Sequence, residues 1–408
     1  MARYREYNPQ RDRESVHRIW REIGWLQEGQ EEAADTLIGG GRAVVAEVQG
    51  EAECLVATVP GSIRYVKDDL PFSNVASVGT SRIARKQGLA KGLTAAAIAH
   101  DAAQGKAVCG LGMFEQGFYN MLGFGTGSYE KWAALDPRSI RVKAEAGIPS
   151  RLTVKDWEKV YQSRLNRVRG HGACNIHAPE CTRGEMAWLK NSFGLGYFRN
   201  GQLTHHIWFN TEKVERGPYN VEWMAYQTYQ QFCELMALIK TLEDQVRLVT
   251  LREPPSIQVQ DLLESPFRIR QLTEKSAYEN RMQANAYWQM RILDLEECMK
   301  KTHLPHGEVT FNLVLSDPIE SLVPADAAWK GISGNYRVRL GSCSFAEEGK
   351  DETLPTLKAS VGAFTRLWLG VRPASSLAAT DDVHGAQELL EDLDQIVCVP
   401  EPHPDWDF

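Results

Sequence analysis

This chain has no long apolar run, no C-x-x-C pair, no low-complexity tract and no excess of positive charge. Each absence removes a class of protein. Charged residues interrupt every apolar stretch before it could cross a bilayer, so no membrane insertion is expected. The opening Met1-Ala2-Arg3-Tyr4-Arg5-Glu6 carries no apolar segment, so no secretory signal is expected. Cys54, Cys109, Cys174, Cys181, Cys233, Cys298, Cys343 and Cys398 are scattered, which points to a reducing cytoplasm and mostly buried thiols. Cys174 and Cys181, with His171 and His177, come nearest to a metal cluster. Their spacing fits no common zinc module, and no metal is expected. A net charge of −7 argues against nucleic acid as a partner and suits a small cationic amine.

What is present is a chain of 408 residues, 43% hydrophobic and 24% charged, long enough for two or three domains. Its most informative stretch is Arg85-Lys86-Gln87-Gly88-Leu89-Ala90. The hexapeptide lies where an apolar strand expected over 74–80 gives way to an Ala-rich helix expected over 89–104. An R-x-x-G-x-A turn at such a switch is a pyrophosphate cradle. Gly88 and Ala90 let the backbone come close, the free N–H groups of the helix start face the anion, and Arg85 adds a forked cation.

Around this turn the pattern predicts a helix over 11–23, with Val16, Ile19, Trp20 and Ile23 on one face, and a hairpin of strands 42–48 and 53–59. A further run is expected over 61–66, and the strand over 74–80, the helix over 89–104 and a strand over 107–114 form a parallel, right-handed crossover. The middle third repeats the plan: a hairpin of 183–190 with 202–210, then strand 219–226, helix 228–242 and strand 245–251. Its turn reads Gln227-Thr228-Tyr229-Gln230-Gln231, without the glycine, so a duplicated fold has lost its cradle. The last third reads as a helix over 284–301, strands 308–315, 335–340 and 357–364, and helices near 366–369 and over 387–396.

Taken with the block Phe118-Tyr119-Asn120-Met121-Leu122-Gly123-Phe124-Gly125, read as a short helix ending at a glycine turn, and the aromatic C-terminus, these features resemble the enhanced-intracellular-survival (Eis) family of the GNAT acetyltransferases. The resemblance implies an α/β (α+β) chain. A GNAT domain would span 1–138, a degenerate second GNAT domain 139–283, and a sterol carrier protein-like domain 284–408. The family's acetyl-CoA motif, V-x-V-x-P-x-x-R-x-x-G-x-x, falls on Val78, Gly79, Thr80, Arg85, Lys86, Gln87, Gly88 and Leu89, with Ala90 following. Arg82 stands where proline is usual, and Thr80 replaces an apolar residue. The family's tyrosine, in Y-x-x-x-G-[YF]-G, falls on Tyr119 ahead of Gly123-Phe124-Gly125.

By the same resemblance Tyr119 is the general acid, and the main-chain carboxylate of Phe408 is the base. The cofactor is acetyl-CoA, and the assembly is a homo-oligomer, commonly a hexamer. Trp25 and Glu28 lie where such folds place an acceptor lid, and Asp407 sits beside the proposed base, so these three are substrate candidates. The function expected is N-acetyl transfer to small polycationic amines. The competing readings are a non-catalytic acyl-CoA sensor and a lipid-binding module.

Overall fold

A computed structural model describes residues 3–265, 267 and 274–406. The first part runs β1 (Arg3–Glu6), α1 (Pro9–Glu22), α2 (Glu31–Gly39), β2 (Arg42–Val48), β3 (Glu51–Tyr65) and β4 (Asp68–Thr80). It continues through α3 (Leu89–Ala103), β5 (Val108–Gly112), α4 (Gln116–Asn120), β6 (Gly125–Thr126) and β7 (Tyr129–Leu135). Next come β8 (Ser150–Leu152), α5 (Trp157–Leu165), β9 (Cys174–Ile176), α6 (Pro179–Trp188), β10 (Ser192–Arg199) and β11 (Gln202–Thr211). The middle part closes with β12 (Tyr219–Ala225), α7 (Tyr229–Lys240), β13 (Val249–Arg252) and β14 (Arg281–Ala286). The last part holds β15 (Trp288–Ile292), α8 (Leu295–Lys300), β16 (Val309–Ser316), β17 (Gly334–Leu340) and β18 (Phe345–Glu348). It ends with β19 (Thr356–Ser360), α9 (Val361–Trp368), α10 (Ala374–Thr380), β20 (Val383–His384) and α11 (Gln387–Ile396).

Among the described residues these strands form three mixed sheets, ordered β1-β2-β3-β4-β5-β15-β6, β14-β7-β13-β12-β11-β10-β8 and β18-β17-β16-β19-β20; β9 joins the first beside β3. Two parallel crossovers, β4–α3–β5 and β12–α7–β13, agree with the two strand–helix–strand units expected. The two sheets also exchange strands. β7, from the first part, pairs with β13, and β15, from beyond the middle part, pairs with β5 and β6.

Local signals account for the elements that flank the crossover. Asn8 caps α1 by accepting from the Gln10 and Arg11 N–H groups, and Pro9 takes the first helical position. Val16, Ile19 and Trp20 then bury the helix against Val45, Leu55 and Ala57 of the first sheet. Leu93, Ala97 and Ile98 of α3 cover the opposite face with Val44, Cys54, Val56 and Val75.

Four expected elements differ. The helix over 284–301 is two strands followed by the short α8. Every residue of β15 is buried, so the alternation that marks a half-exposed strand is absent, and its apolar spacing imitates a helix. The segment 183–190 belongs mainly to α6, and the true hairpin partner of β11 is β10, joined through Asn200-Gly201 with both residues at positive φ. The strand expected over 357–364 stops at Ser360, whose hydroxyl accepts from the Ala363 N–H and starts α9. The runs over 53–59 and 61–66 are one strand, β3, which passes through Pro60.

The third sheet is tied to the first by fully buried groups. Tyr65 stacks on Trp368 at 4.5 Å and donates to its carbonyl, while Arg291 of β15 pairs with Asp317 at 2.6 Å with neither side chain exposed. No described helix is long and apolar enough to cross a membrane.

Candidate active site

The site begins with a strand that loses its neighbour. β5 pairs with β4 only from Phe72 to Asn74, yet β4 runs on to Thr80. The cause lies just past the last pair. Opposite β3, Ala57 faces Ser77 and Thr58 faces Val75, so Ala76 is an extra, bulged residue that bends β4 away from β5. Beyond the bulge β4 has β3 on one side and an open edge on the other. Asn74 Oδ1, Ser77 Oγ and, at the exit of β4, Ser81 Oγ are buried without a hydrogen-bond partner among the described residues. An extended amide-bearing chain laid along that edge would meet backbone donors and acceptors.

The open edge leads into the glycine turn. Lys86 at φ +61° and Gly88 at φ +78° bracket Gln87 in left-handed backbone, a geometry that gathers successive N–H groups on a concave side. Gly88 is also the N-cap of α3, and no side chain caps that helix. The first-turn N–H groups of Leu89 and Ala90 therefore keep their positive end for an outside anion. A Cβ on Gly88 would meet nothing within 4 Å, so glycine is needed here for its backbone angle and not for space. Arg85, Lys86 and Gln87 are exposed, and among the described residues Arg85 and Lys86 have no ion pair. These features fit the pantetheine arm and pyrophosphate of a coenzyme A thioester.

Around the turn the unusual residues have definite partners. The Arg82 N–H, which proline would lack, donates to Glu22 Oε2 at 2.6 Å and ties the end of α1 to the cradle. Thr80 Oγ1 donates to Cys54 Sγ at 3.3 Å, and burial pushes the Cys54 thiol up to about 11. A Cβ on Gly79 would sit 3.3 Å from Ile23 and 3.4 Å from Ile19, so this position lets α1 lie close over β4. Val78 packs at the edge of the α3-side core.

Tyr119 belongs to the same core. Glu115 caps α4 by accepting from the Gly117 and Phe118 N–H groups. The Tyr119 ring then meets Phe118 edge-on at 4.9 Å and Phe124 at 6.1 Å. Burial chiefly, helped by Tyr287, raises its hydroxyl to about 12, so it keeps its proton at neutral pH. Gly123, at φ +79°, is the required turn residue, since a Cβ there would come within 2.8 Å of the Arg291 guanidinium. Arg291 donates to the Leu122 carbonyl, and Gln289 Nε2 donates to Asn120 Oδ1 at 2.6 Å. The exchanged strand β15 thus holds the Tyr119 turn from below.

Trp25 is 41% exposed and packs edge-on to Trp20 at 6.0 Å, on the α1–α2 loop with Glu28. Glu28 is exposed and unpaired among the described residues, whereas Glu31 is held by Arg21 at 2.7 Å. Asp407 and Phe408 lie outside the described residues. The segment before them is well defined. Ser128 Oγ donates to the Pro402 carbonyl at 2.6 Å, the His403 N–H to the His171 carbonyl at 2.8 Å, and the Cys174 N–H to the Pro404 carbonyl at 2.8 Å. Trp406 donates to Glu185 of α6. α6 packs on α2 at Leu37, where a Cβ on Gly184 would collide.

Sequence reading misses Tyr287, which lies over Gly112 at the mouth of β5, because its neighbours read as a helix. It also misses Arg164 and Arg167, whose partners in the tail, Trp406 and Asp405, are more than 200 residues away in the chain. The histidines nearest to a metal cluster in the sequence have other duties. His171 accepts from the Val66 N–H and bonds the Leu369 carbonyl, and His177 meets Ser62 Oγ at 3.2 Å.

Residues 325–404 match the sterol carrier protein domain family. The sequence has no match among curated proteins. Solved structures similar over their full length include a probable N-acyltransferase of unknown function from Enterococcus faecalis (16% identity, all of both chains, TM-score 0.79). A GCN5-related N-acetyltransferase from Anabaena variabilis is similar over all of both chains at 14% identity and TM-score 0.76. An Eis protein from Mycobacterium abscessus is likewise similar over all of both chains, at 14% identity and TM-score 0.75. At these identities the likeness is one of fold: this chain has the fold of those GCN5-related N-acetyltransferase structures, and its own residues 325–404 carry the sterol carrier protein domain.

Proposed function

We propose that this protein is an acetyl-CoA-dependent N-acetyltransferase acting on small polycationic amines. The observation that carries the reading is the open edge of β4 running into an uncapped, left-handed turn with Arg85 and Lys86 unpaired among the described residues. Acetyl-CoA supplies an activated acyl group and a thiolate leaving group. Val78, Gly79 and Thr80 would hold the pantetheine arm through their backbone, and Arg85–Ala90 the pyrophosphate. A backbone N–H near Thr80 polarises the thioester carbonyl, a role worth roughly 10²–10³ in rate.

An amine must be neutral to attack. The α-carboxylate of Phe408, with an ordinary pKa of roughly 3.3–3.7, takes its proton through water. As the new C–N bond forms and the C–S bond breaks, the Tyr119 hydroxyl gives its proton to the departing sulfur. Glu28 and Asp407 attract the cation and Trp25 walls its pocket, which accords with the net charge of −7. A cytoplasmic homo-oligomer, as in the family resembled, completes the reading. The test is thiol release from acetyl-CoA with a panel of aminoglycosides and polyamines. Turnover that requires a primary amine and collapses in Tyr119→Phe supports the proposal. Tight acetyl-CoA binding with no transfer to any amine would leave an acyl-CoA sensor instead.

A further inference from the structure

The end of α1 is clasped to the start of the glycine turn by two reciprocal bonds, each joining a backbone atom of one residue to a side-chain atom of the other. The Arg82 N–H donates to Glu22 Oε2 at 2.6 Å, and Arg82 Nη2 donates to the Glu22 carbonyl at 3.2 Å. Glu22 is the last residue of α1, so its carbonyl is one of those the helix leaves without an internal partner, at the negative end of the dipole. A guanidinium completes that end. Arg82 also opens the short turn Arg82–Ala84 that leads into Arg85, and Gln87 Nε2 bonds back to the Ile83 carbonyl at 3.1 Å. Clasp and cradle are therefore one continuous piece of chain. The other ion partner of Glu22, Arg18 at 3.6 Å, lies one turn back on α1 and makes no link to the cradle.

The loop that leaves α1 carries Trp25 and Glu28, and its amides hang on the same helix end. The Trp25 and Leu26 N–H groups both donate to the Trp20 carbonyl, at 2.8 and 3.2 Å, and the Gly24 N–H donates to the Arg21 carbonyl at 3.1 Å. The far side of the loop is held by the middle part of the chain. Lys190 Nζ donates to Gln27 Oε1 at 2.8 Å, Gln30 Nε2 donates to the Trp188 carbonyl at 2.9 Å, and Trp188 meets Trp20 edge-on at 5.9 Å. With that side fixed, the place of Trp25 and Glu28 relative to the cradle is set by where α1 ends.

We infer that Glu22 and Arg82 are positioning residues whose clasp sets the loop of Trp25 and Glu28 at a fixed place against the coenzyme cradle, so that binding of the amine depends on it. The clasp itself is read from contacts. Its consequence for the amine rests on the function proposed above, and the test separates the two. The deciding atom is the Arg82 amide hydrogen. Ser81, at φ −59° and ψ 160°, already has the extended backbone required of a residue before proline, and Arg82 takes the first place of its turn, where proline fits. Arg82→Pro therefore deletes the N–H and keeps the path of the chain. Arg82→Ala removes the guanidinium and keeps the N–H.

The experiment uses the full chain and the variants Arg82→Pro, Arg82→Ala and Glu22→Ala, each checked for an unchanged circular dichroism spectrum. Amide hydrogen exchange over residues 23–30, followed by mass spectrometry, reads the loop without any activity. Thiol release with spermidine and kanamycin as probe amines gives kcat and both KM values alongside. The expected result is exchange about tenfold faster in Arg82→Pro and Glu22→Ala, with Arg82→Ala nearer to wild type. In the same two variants the amine KM rises about tenfold, while kcat and the acetyl-CoA KM stay within about twofold. The double variant Glu22→Ala with Arg82→Pro should be no worse than either alone, because both remove one bond. Equal exchange in all the proteins would overturn the clasp, and equal changes in Arg82→Ala and Arg82→Pro would overturn the role of the N–H. Faster exchange with an unchanged amine KM would overturn the positioning role. Faster exchange in the variants of a wild type that acetylates neither amine would uphold the clasp and discard the enzymatic reading. Should Arg82→Pro fail to fold, Glu22→Ala set against Arg82→Ala decides the matter.

Discussion

The first and second sheets have the same splayed pair of parallel strands, and the residues just after the long strand set them apart. After β4 comes Gly88 at φ +78° and a helix no side chain caps. After β12 comes Thr228, whose hydroxyl accepts from the Gln231 N–H while the Gln231 side chain accepts from the Gln227 and Thr228 N–H groups. One helix start is left with its donors for an anion; the other satisfies itself with a capping box. The strand edges differ too: that of β4 past Asn74 has no strand beside it among the described residues, while that of β12 lies beside Asp405 and Trp406. The two sheets share this splayed slot and differ in the side chains at their helix starts; on the function proposed, that difference decides which slot takes a nucleotide.

Substitutions at the two slots should tell them apart, the strongest first. Tyr119→Phe should lower kcat by roughly 10²–10⁴ with the acetyl-CoA KM unchanged, measured by thiol release. Gly88→Val forces a branched side chain into left-handed backbone and should weaken acetyl-CoA binding about tenfold by calorimetry. Arg85→Gln should weaken it by about the same factor, with the loss shrinking at high salt because Arg85 is exposed. Thr228→Ala is the counterpart in the second sheet. It should cost about 1 kcal/mol in denaturant unfolding and leave acetyl-CoA affinity as it was. A change in that affinity would mean the two helix starts are not divided as described.

The smallest effect concerns pH. Burial, more than the neighbouring His403, lowers His171 from its ordinary 6.5 to about 4, and the neutral ring accepts from Val66 through Nδ1. The unfolded chain takes up this proton first, so the stabilisation is whole above pH 6.5 and fades as pH falls toward 4. Thermal melts at pH 7, 6 and 5 should show a falling midpoint, with a shallower decline in His171→Gln.

Much of this organisation is legible in the sequence because it is local. The Arg85–Ala90 turn, the capping-box letters at Thr228 and Gln231, and α11 over Gln387–Ile396 all depend on neighbours a few residues away. The strand exchange is not local. β15 reads as a helix because burial on both faces removes its alternation, and nothing beside Arg291 announces that Asp317 will neutralise it. The contacts of Asp405 and Trp406 are the extreme case. Arg164 and Arg167 look like ordinary cations at the end of a surface helix until residues 405 and 406 return to them. The aromatic setting of Trp406 marks it as an anchor in the sequence, but nothing there names its partner. The bulge at Ala76 has no sequence signature either, since any small residue can be skipped in a ladder.

The decisive measurement is a crystal structure with bound coenzyme A. The pantetheine should lie along β4 between Ala76 and Thr80 and the pyrophosphate against the N–H groups of Arg85 to Ala90, with residues 405 and 406 still lodged beside β12. Coenzyme bound beside β12 with the tail displaced, or bound at neither slot, would contradict the division of the two slots.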